Sequence, residues 1–129
     1  MEISKYKPEH EEAVLSAIKN DPNWDMFTNG DAIETYKNAL RKGVTYVCHE
    51  NNDFCGYIRA LLDDGFAVYI SELFVVPKYR NQKIGRSLLE QVNIDFSTLT
   101  VYALSDEDVY YEKLGHKKVG SVFELKLIG

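Results

Sequence analysis

Ile70-Ser71-Glu72-Leu73-Phe74-Val75-Val76-Pro77-Lys78-Tyr79-Arg80-Asn81-Gln82-Lys83-Ile84-Gly85-Arg86-Ser87-Leu88-Leu89 joins two kinds of local pattern across one short turn. It is β-rich up to Val76, and Pro77 stops the strand. After a polar, partly basic turn, Ile84, Leu88 and Val92 recur every four residues, the spacing of one helix face. The first amides of such a helix have no intrahelical acceptor and sit at the positive end of its dipole, so a pyrophosphate can be held there. Gly85 would let backbone approach the phosphates, and Arg80, Lys83 and Arg86 add positive charge to the same turn. A plain strand-to-helix connection with solvated basic residues is the competing reading.

Upstream, Val44–His49, Cys55–Leu62 and Ala67–Val76 are β-rich runs separated by Asn51-Asn52 and by Asp63-Asp64-Gly65, which predicts an antiparallel meander. Downstream, Leu99–Ala103 reads as a short strand. A strand, a helix and a strand in that order imply a right-handed crossover and a parallel pair. Val109, Tyr110 and Leu114 mark a last helix stopped by Gly115, and Val122–Ile128 alternates as a final strand. At the N-terminal side, Ile3–Tyr6 reads as a strand and Pro8 opens a helix with Glu9, Glu11 and Glu12 in its first turn. Val14, Leu15 and Ile18 form its apolar stripe. Beyond a loop containing Trp24, Met26 and Phe27, Asp31 and Glu34 fit a capping box, and Gly43 closes a second helix whose face is Ile33, Tyr36 and Leu40. The order β-α-α-β-β-β-α-β-α-β describes a mixed α/β sheet flanked by helices, expected as a single domain over residues 1–129.

The composition excludes several classes. With 45% apolar and 27% charged residues the chain is too apolar to be disordered. A net charge of −5 with no basic arm repels a phosphate backbone, so nucleic acid is not an expected partner. No apolar run approaches the roughly 20 residues of a membrane span, nor the length of a signal peptide, and the expectation is a cytoplasmic protein without a membrane partner. The two cysteines, Cys48 and Cys55, face each other if Asn51-Asn52 is a two-residue hairpin loop. They form either a redox clip or a pair of small buried residues kept reduced. No spacing suggests a metal site.

The run Val75-x-Pro77-x-Tyr79-Arg80-x-x-x-Ile84-Gly85-Arg86-x-Leu88-Leu89 resembles the acetyl-coenzyme A motif of the GNAT superfamily of N-acetyltransferases, whose core is Gln/Arg-x-x-Gly-x-Gly/Ala. Tyr111-Glu112-Lys113-Leu114-Gly115-His116 is similar to that family's Tyr-Glu-Lys-Leu-Gly-Phe segment, with His116 in place of the phenylalanine. The resemblance implies acetyl-CoA as donor and a fold in which the third meander strand and the next parallel strand splay apart around pantetheine. It implies that the backbones of Leu73 and Val75 pair with pantetheine amides, and that Asn81, Gln82, Lys83, Ile84, Gly85 and Arg86 form the pyrophosphate turn, with Arg80 before it and Ser87 at the helix start. Lys83 stands where the family has its first glycine. A non-glycine residue there costs nothing at negative φ, but about 1 kcal/mol or more at φ > 0.

Acetyl transfer to an amine needs a neutral nucleophile, and an alkylamine with pKa about 10.4 is mostly protonated at neutral pH. A carboxylate acting directly or through water is an economical base. Glu72 is the candidate: it is out of phase with Leu73 and Val75 and so projects to the opposite face. The resemblance makes Tyr111 the acid that donates to the thiol sulfur, and Tyr110 beside it points elsewhere. A backbone N–H of the splayed strand, that of Val75, suits the oxyanion. The Trp24, Met26 and Phe27 loop is either an acceptor wall or a hydrophobic plug. The expected activity is direct transfer to a primary amine of a small molecule or peptide. The competing class is a non-catalytic acyl-CoA-binding module serving as a sensor or interaction subunit. Dimers are common among proteins of this resemblance, so a homodimer is among the expected states.

Overall fold

The computed structural model describes residues 1–127. Its elements are β1 (Glu2–Lys5), α1 (Glu11–Lys19), α2 (Ala32–Lys42), β2 (Val44–Glu50), β3 (Asp53–Asp63), β4 (Ala67–Val75), α3 (Ile84–Asp95), β5 (Thr100–Ala103) and α4 (Asp108–Lys113). The sheet order is β1-β2-β3-β4-β5, antiparallel throughout except for the parallel β4–β5 pair. Residue pairs alternate between the two faces. Cys48, Ile58, Ala60, Val68 and Ile70 pack on Ile84, Leu88, Leu89 and Val92 of α3. Val47, Tyr57 and Phe74 pack on Val14, Leu15 and Ile18 of α1 and on Tyr36 and Leu40 of α2.

The meander turns follow from their residues. Asn51 and Asn52 have φ of 50° and 68°, the double left-handed conformation of a tight hairpin that asparagine tolerates. Directly beyond, a bulge passes between Cys48 and His49, because Cys48 lies opposite Gly56 and His49 opposite Phe54. Cys55 is therefore the extra residue. Its Sγ lies 3.0 Å from that of Cys48; both are free, buried thiols.

Three expectations change in the structure. Pro8 opens a 3-10 turn, Pro8–His10, and the α-helix proper begins only at Glu11. Asp31 precedes α2, but its backbone is already helical (φ −77°, ψ −10°) and its side chain caps nothing, while Glu34 pairs with Lys37 at 3.0 Å. A capping box requires an extended N-cap backbone, which Asp31 lacks. The final strand is absent from residues 122–127, and Ile128 lies outside the described residues. Alternating side chains alone do not make a strand. Its backbone needs a neighbour, and Val122, Phe123, Leu125 and Leu127 instead stand exposed, while the edge strand β5 is only four residues long.

Candidate active site

Strand β4 carries the deciding irregularity. Arg59 of β3 faces Glu72, but the next residue, Ala60, faces Ile70, so Ser71 is an extra bulged residue. Before it, Val68 and Ile70 point to the α3 face. After it, Leu73 and Val75 do so, while Glu72 and Phe74 turn to the α1–α2 face. A bulge twists a strand and interrupts pairing. The parallel ladder with β5 runs only from Ala67↔Thr100 to Ile70↔Ala103, and its last bond is from Leu104 N to Ile70 O, 2.9 Å. From Ser71 onward β4 has no strand partner on that side among the described residues.

The open edge exposes defined groups. Val76 donates its N–H to Cys55 O across β3 at 2.9 Å. Alternation along the strand then turns the N–H and C=O groups of Val75 and Leu73 toward the open side. The carbonyl of Val75 is already in use: Arg80 Nε donates to it at 2.9 Å, and the same guanidinium reaches Asp21 Oδ2 at 3.4 Å. Arg80 thus folds back onto the strand end and does not extend into the following turn.

That turn leads straight to the head of α3. Asn81 and Lys83 both have φ of 65°, so the lysine occupies the left-handed conformation that a glycine would adopt without strain. The first bond along the helix runs from Ser87 N to Lys83 O at 3.0 Å, which leaves the amides of Ile84, Gly85 and Arg86 without an intrahelical acceptor. Ile84 anchors the helix start in the core, and Ser87 is half-buried one turn along. Gln82 donates to Lys78 O at 3.3 Å, and Arg86 pairs outward with Glu90 at 3.0 Å. Gly85 is buried beneath α4. A Cβ built on it would run into Tyr110 Oη and lie 3.6 Å from Leu73 Cδ2.

Across the cleft, α4 supplies both tyrosines. Tyr111 packs against the α3-face core and lines a cavity of about 650 Å³ together with Ile70, Leu89, Val101, Ala103 and His116. Burial pushes its phenol up to about 12, so it is a proton donor throughout the neutral range. His116 stands 6.4 Å from the Tyr111 ring, centroid to centroid.

On the opposite face, Glu72 sits in a filled network. Its Oε1 accepts from Tyr36 Oη at 2.5 Å and from Arg59 Nε at 2.6 Å; its Oε2 accepts from Arg59 Nη2 at 2.8 Å and from the Ser71 hydroxyl. Tyr36 also bonds Tyr57 at 2.6 Å. Tyr36, Arg59 and Ser71 were not singled out from sequence. Arg59 carried a signal: a charged residue between Ile58 and Ala60 in an apolar strand needs a buried partner. Trp24 stacks edge-on against Phe74 at 5.0 Å, and Phe27 stacks on Tyr36 at 4.4 Å, whereas Met26 is exposed. The two rings pack over this core. Among the described residues, no group of three or more His, Cys, Asp or Glu side chains could hold a metal ion.

A strand fork opening onto the bare amides of a helix, with an α4 tyrosine lining the adjoining cavity, defines an acyltransferase-type cleft. A sequence profile described as acetyltransferase (GNAT) domain matches residues 6–128, and the chain belongs to that family. It is 26% identical over 129 residues to an uncharacterized N-acetyltransferase, ycf52, of Porphyra purpurea, covering 87% of this chain and 74% of the relative. Among solved structures, a GNAT family acetyltransferase of Streptococcus pneumoniae TIGR4 superposes with a TM-score of 0.69 at 21% identity, covering 98% of both chains. Aminoglycoside N-acetyltransferase AAC(6')-Iy in complex with CoA gives a TM-score of 0.76 at 14% identity, covering 98% of this chain and 93% of that one. At such identities these two structures share the fold.

Proposed function

We propose that this acetyltransferase moves the acetyl group of acetyl-CoA directly to a primary amine of a small molecule or peptide, within a single domain spanning residues 1–129. The observation that carries the proposal is the parting of β4 from β5 at Ile70, directly beside the head of α3.

The residues fit the donor. Pantetheine offers amides, and the free N–H groups of Leu73 and Val75 with the Leu73 carbonyl are their complements. A pyrophosphate has the first amides of α3 and the Asn81–Lys83 turn. Lys83 and Arg86 bring positive charge to this end. Acetyl-CoA supplies an activated thioester. Tyr111, held protonated by burial, is the donor for the leaving sulfur. Glu72 is the carboxylate for the amine's proton. Because its positions are filled by Tyr36, Arg59 and Ser71, one partner must give way, and the half-buried Ser71 hydroxyl at the fork is the one expected to do so.

The acceptor is placed among cationic amines on charge: the chain carries −5 overall, and Glu72 adds a carboxylate on the acceptor face. A cytoplasmic setting belongs to the same reading, in which Cys48 and Cys55 would stay reduced. A homodimer is supported by the exposed apolar side chains of Val122, Phe123, Leu125 and Leu127. One observation favours a second reading, a binding module without turnover: every acceptor position of Glu72 is already in use.

Thiol release from acetyl-CoA, screened against neamine, spermidine and free amino acids, separates the two. Transfer predicts release with at least one amine, lowered about 100-fold or more by Glu72→Gln and by Tyr111→Phe. Release unaffected by either substitution would remove both from the catalytic site. Binding of acetyl-CoA with no release for any amine supports the module.

A further inference from the structure

We propose that Tyr110 is a donor-binding residue whose hydroxyl donates a hydrogen bond to acetyl-CoA where the pantetheine arm meets the pyrophosphate. This inference rests on the acetyl-CoA reading above and adds a contact to it.

Consecutive positions on a helix diverge by about 100°, and α4 uses that divergence to aim two phenols at two places. The rings of Tyr110 and Tyr111 lie 5.3 Å apart and nearly perpendicular, at 86°. Tyr111 turns to the cavity beside β5. Tyr110 crosses to the head of α3, where the missing side chain of Gly85 makes room for it. A Cβ on Gly85 would collide with Tyr110 Oη, lie 3.3 Å from its Cζ and 3.6 Å from Leu73 Cδ2. The hydroxyl therefore stands where the open edge of β4, the first turn of α3 and α4 converge.

Its hydrogen bonding is incomplete. Tyr6, Tyr36, Tyr46, Tyr57 and Tyr79 each bond a named side chain, whereas Tyr69, Tyr102 and Tyr111 bond none among the described residues. Tyr110 Oη has no such partner among the described residues, although its ring is half-buried in the α3-face core. Burial raises its phenol pKa, so it keeps its proton and acts as a donor. The neighbouring amides of α3 are donors as well, so the chemical complement of this corner is an acceptor-rich group such as a phosphate or an amide carbonyl. The purpose of Gly85 is thereby to admit the phenol.

Calorimetric titration of acetyl-CoA into the full chain, with thermal unfolding recorded for every variant, tests this. Tyr110→Phe keeps the ring and removes only the hydroxyl, so its unfolding midpoint should stay at that of the parent while acetyl-CoA affinity falls about tenfold. Tyr6→Phe, on the opposite face of the sheet beside Glu11 of α1, serves as the control and should change affinity less than twofold. Gly85→Ala should also weaken binding, and adding Tyr110→Phe to it should cost little more, because one contact is lost in both. Parent-level or tighter binding by Tyr110→Phe overturns the inference and leaves the acetyl-CoA reading standing. Absence of binding by the parent chain overturns that reading and, with it, this one.

Discussion

Lys83 shows how a single residue can carry both a cost and a use. Its backbone is left-handed (φ 65°, ψ 15°), where a Cβ is unfavourable, and its side chain is exposed at the end of the cleft proposed to take a pyrophosphate. Replacing it by glycine should stabilise the ligand-free chain by about 1 kcal/mol, read as a higher midpoint in urea unfolding. The same substitution removes an ammonium and should weaken acetyl-CoA binding. A Lys83→Gly variant no more stable than the parent would show that the turn does not hold this conformation in solution. Position and identity of this lysine were legible in the sequence as a departure from the motif glycine. Its φ was not, because the same residue at a helix start is unstrained when φ is negative. Glu72 was legible as a carboxylate on the face opposite Leu73 and Val75, but its saturation by Arg59, Tyr36 and Ser71 depends on strand register and on α2, which lie far away in sequence.

At the scale of the element, β4 organises the site. The bulge at Ser71 reverses the phase of the strand, ends its pairing with β5 and brings Ser71 and Glu72 to one network. Arg59 opposite makes that network an ion pair, 2.6 Å long, between side chains only 12% and 6% exposed. Removing one member of such a pair leaves a buried charge, at a cost of about 3–5 kcal/mol, whereas replacing both by apolar residues is close to neutral. Arg59→Met is therefore expected to lower unfolding stability by about 3 kcal/mol, and Arg59→Met with Glu72→Leu to recover most of it. Equal losses in the single and double variants would show that the pair itself stabilises the strand. Periodicity located every helix and the meander to within a few residues, because those elements bury one face on the sheet. It failed for residues 122–127, where the alternation is real but no strand pairs with the backbone. The capping box at Asp31 failed for another reason: the preceding turn already fixes that backbone as helical.

For the whole molecule, the sheet separates two duties. The α3 face and the open β4 edge form the proposed donor side, and the α1–α2 face, packed with Trp24, Phe27, Tyr36 and Phe74, holds Glu72. No helix among the described residues is long and apolar enough to cross a membrane. The exposed side chains of Phe123 and Leu125 are the surface proposed to pair with a second copy. Sedimentation at about 100 μM, a concentration at which even a weak pair forms, should show a dimer, and Leu125→Glu should return it to monomer; a monomeric parent contradicts that surface. The motif residues 80–87 and Tyr111 were legible because their spacing is local. The convergence of Tyr110 on Gly85 was not, since it is made only when α4 folds back over α3. The central claim is that this cleft takes acetyl-CoA, and calorimetric titration of the purified chain with acetyl-CoA tests it most directly. The account predicts one-to-one binding with a Kd of about 1–100 μM, and the absence of saturable heat up to about 1 mM would contradict it.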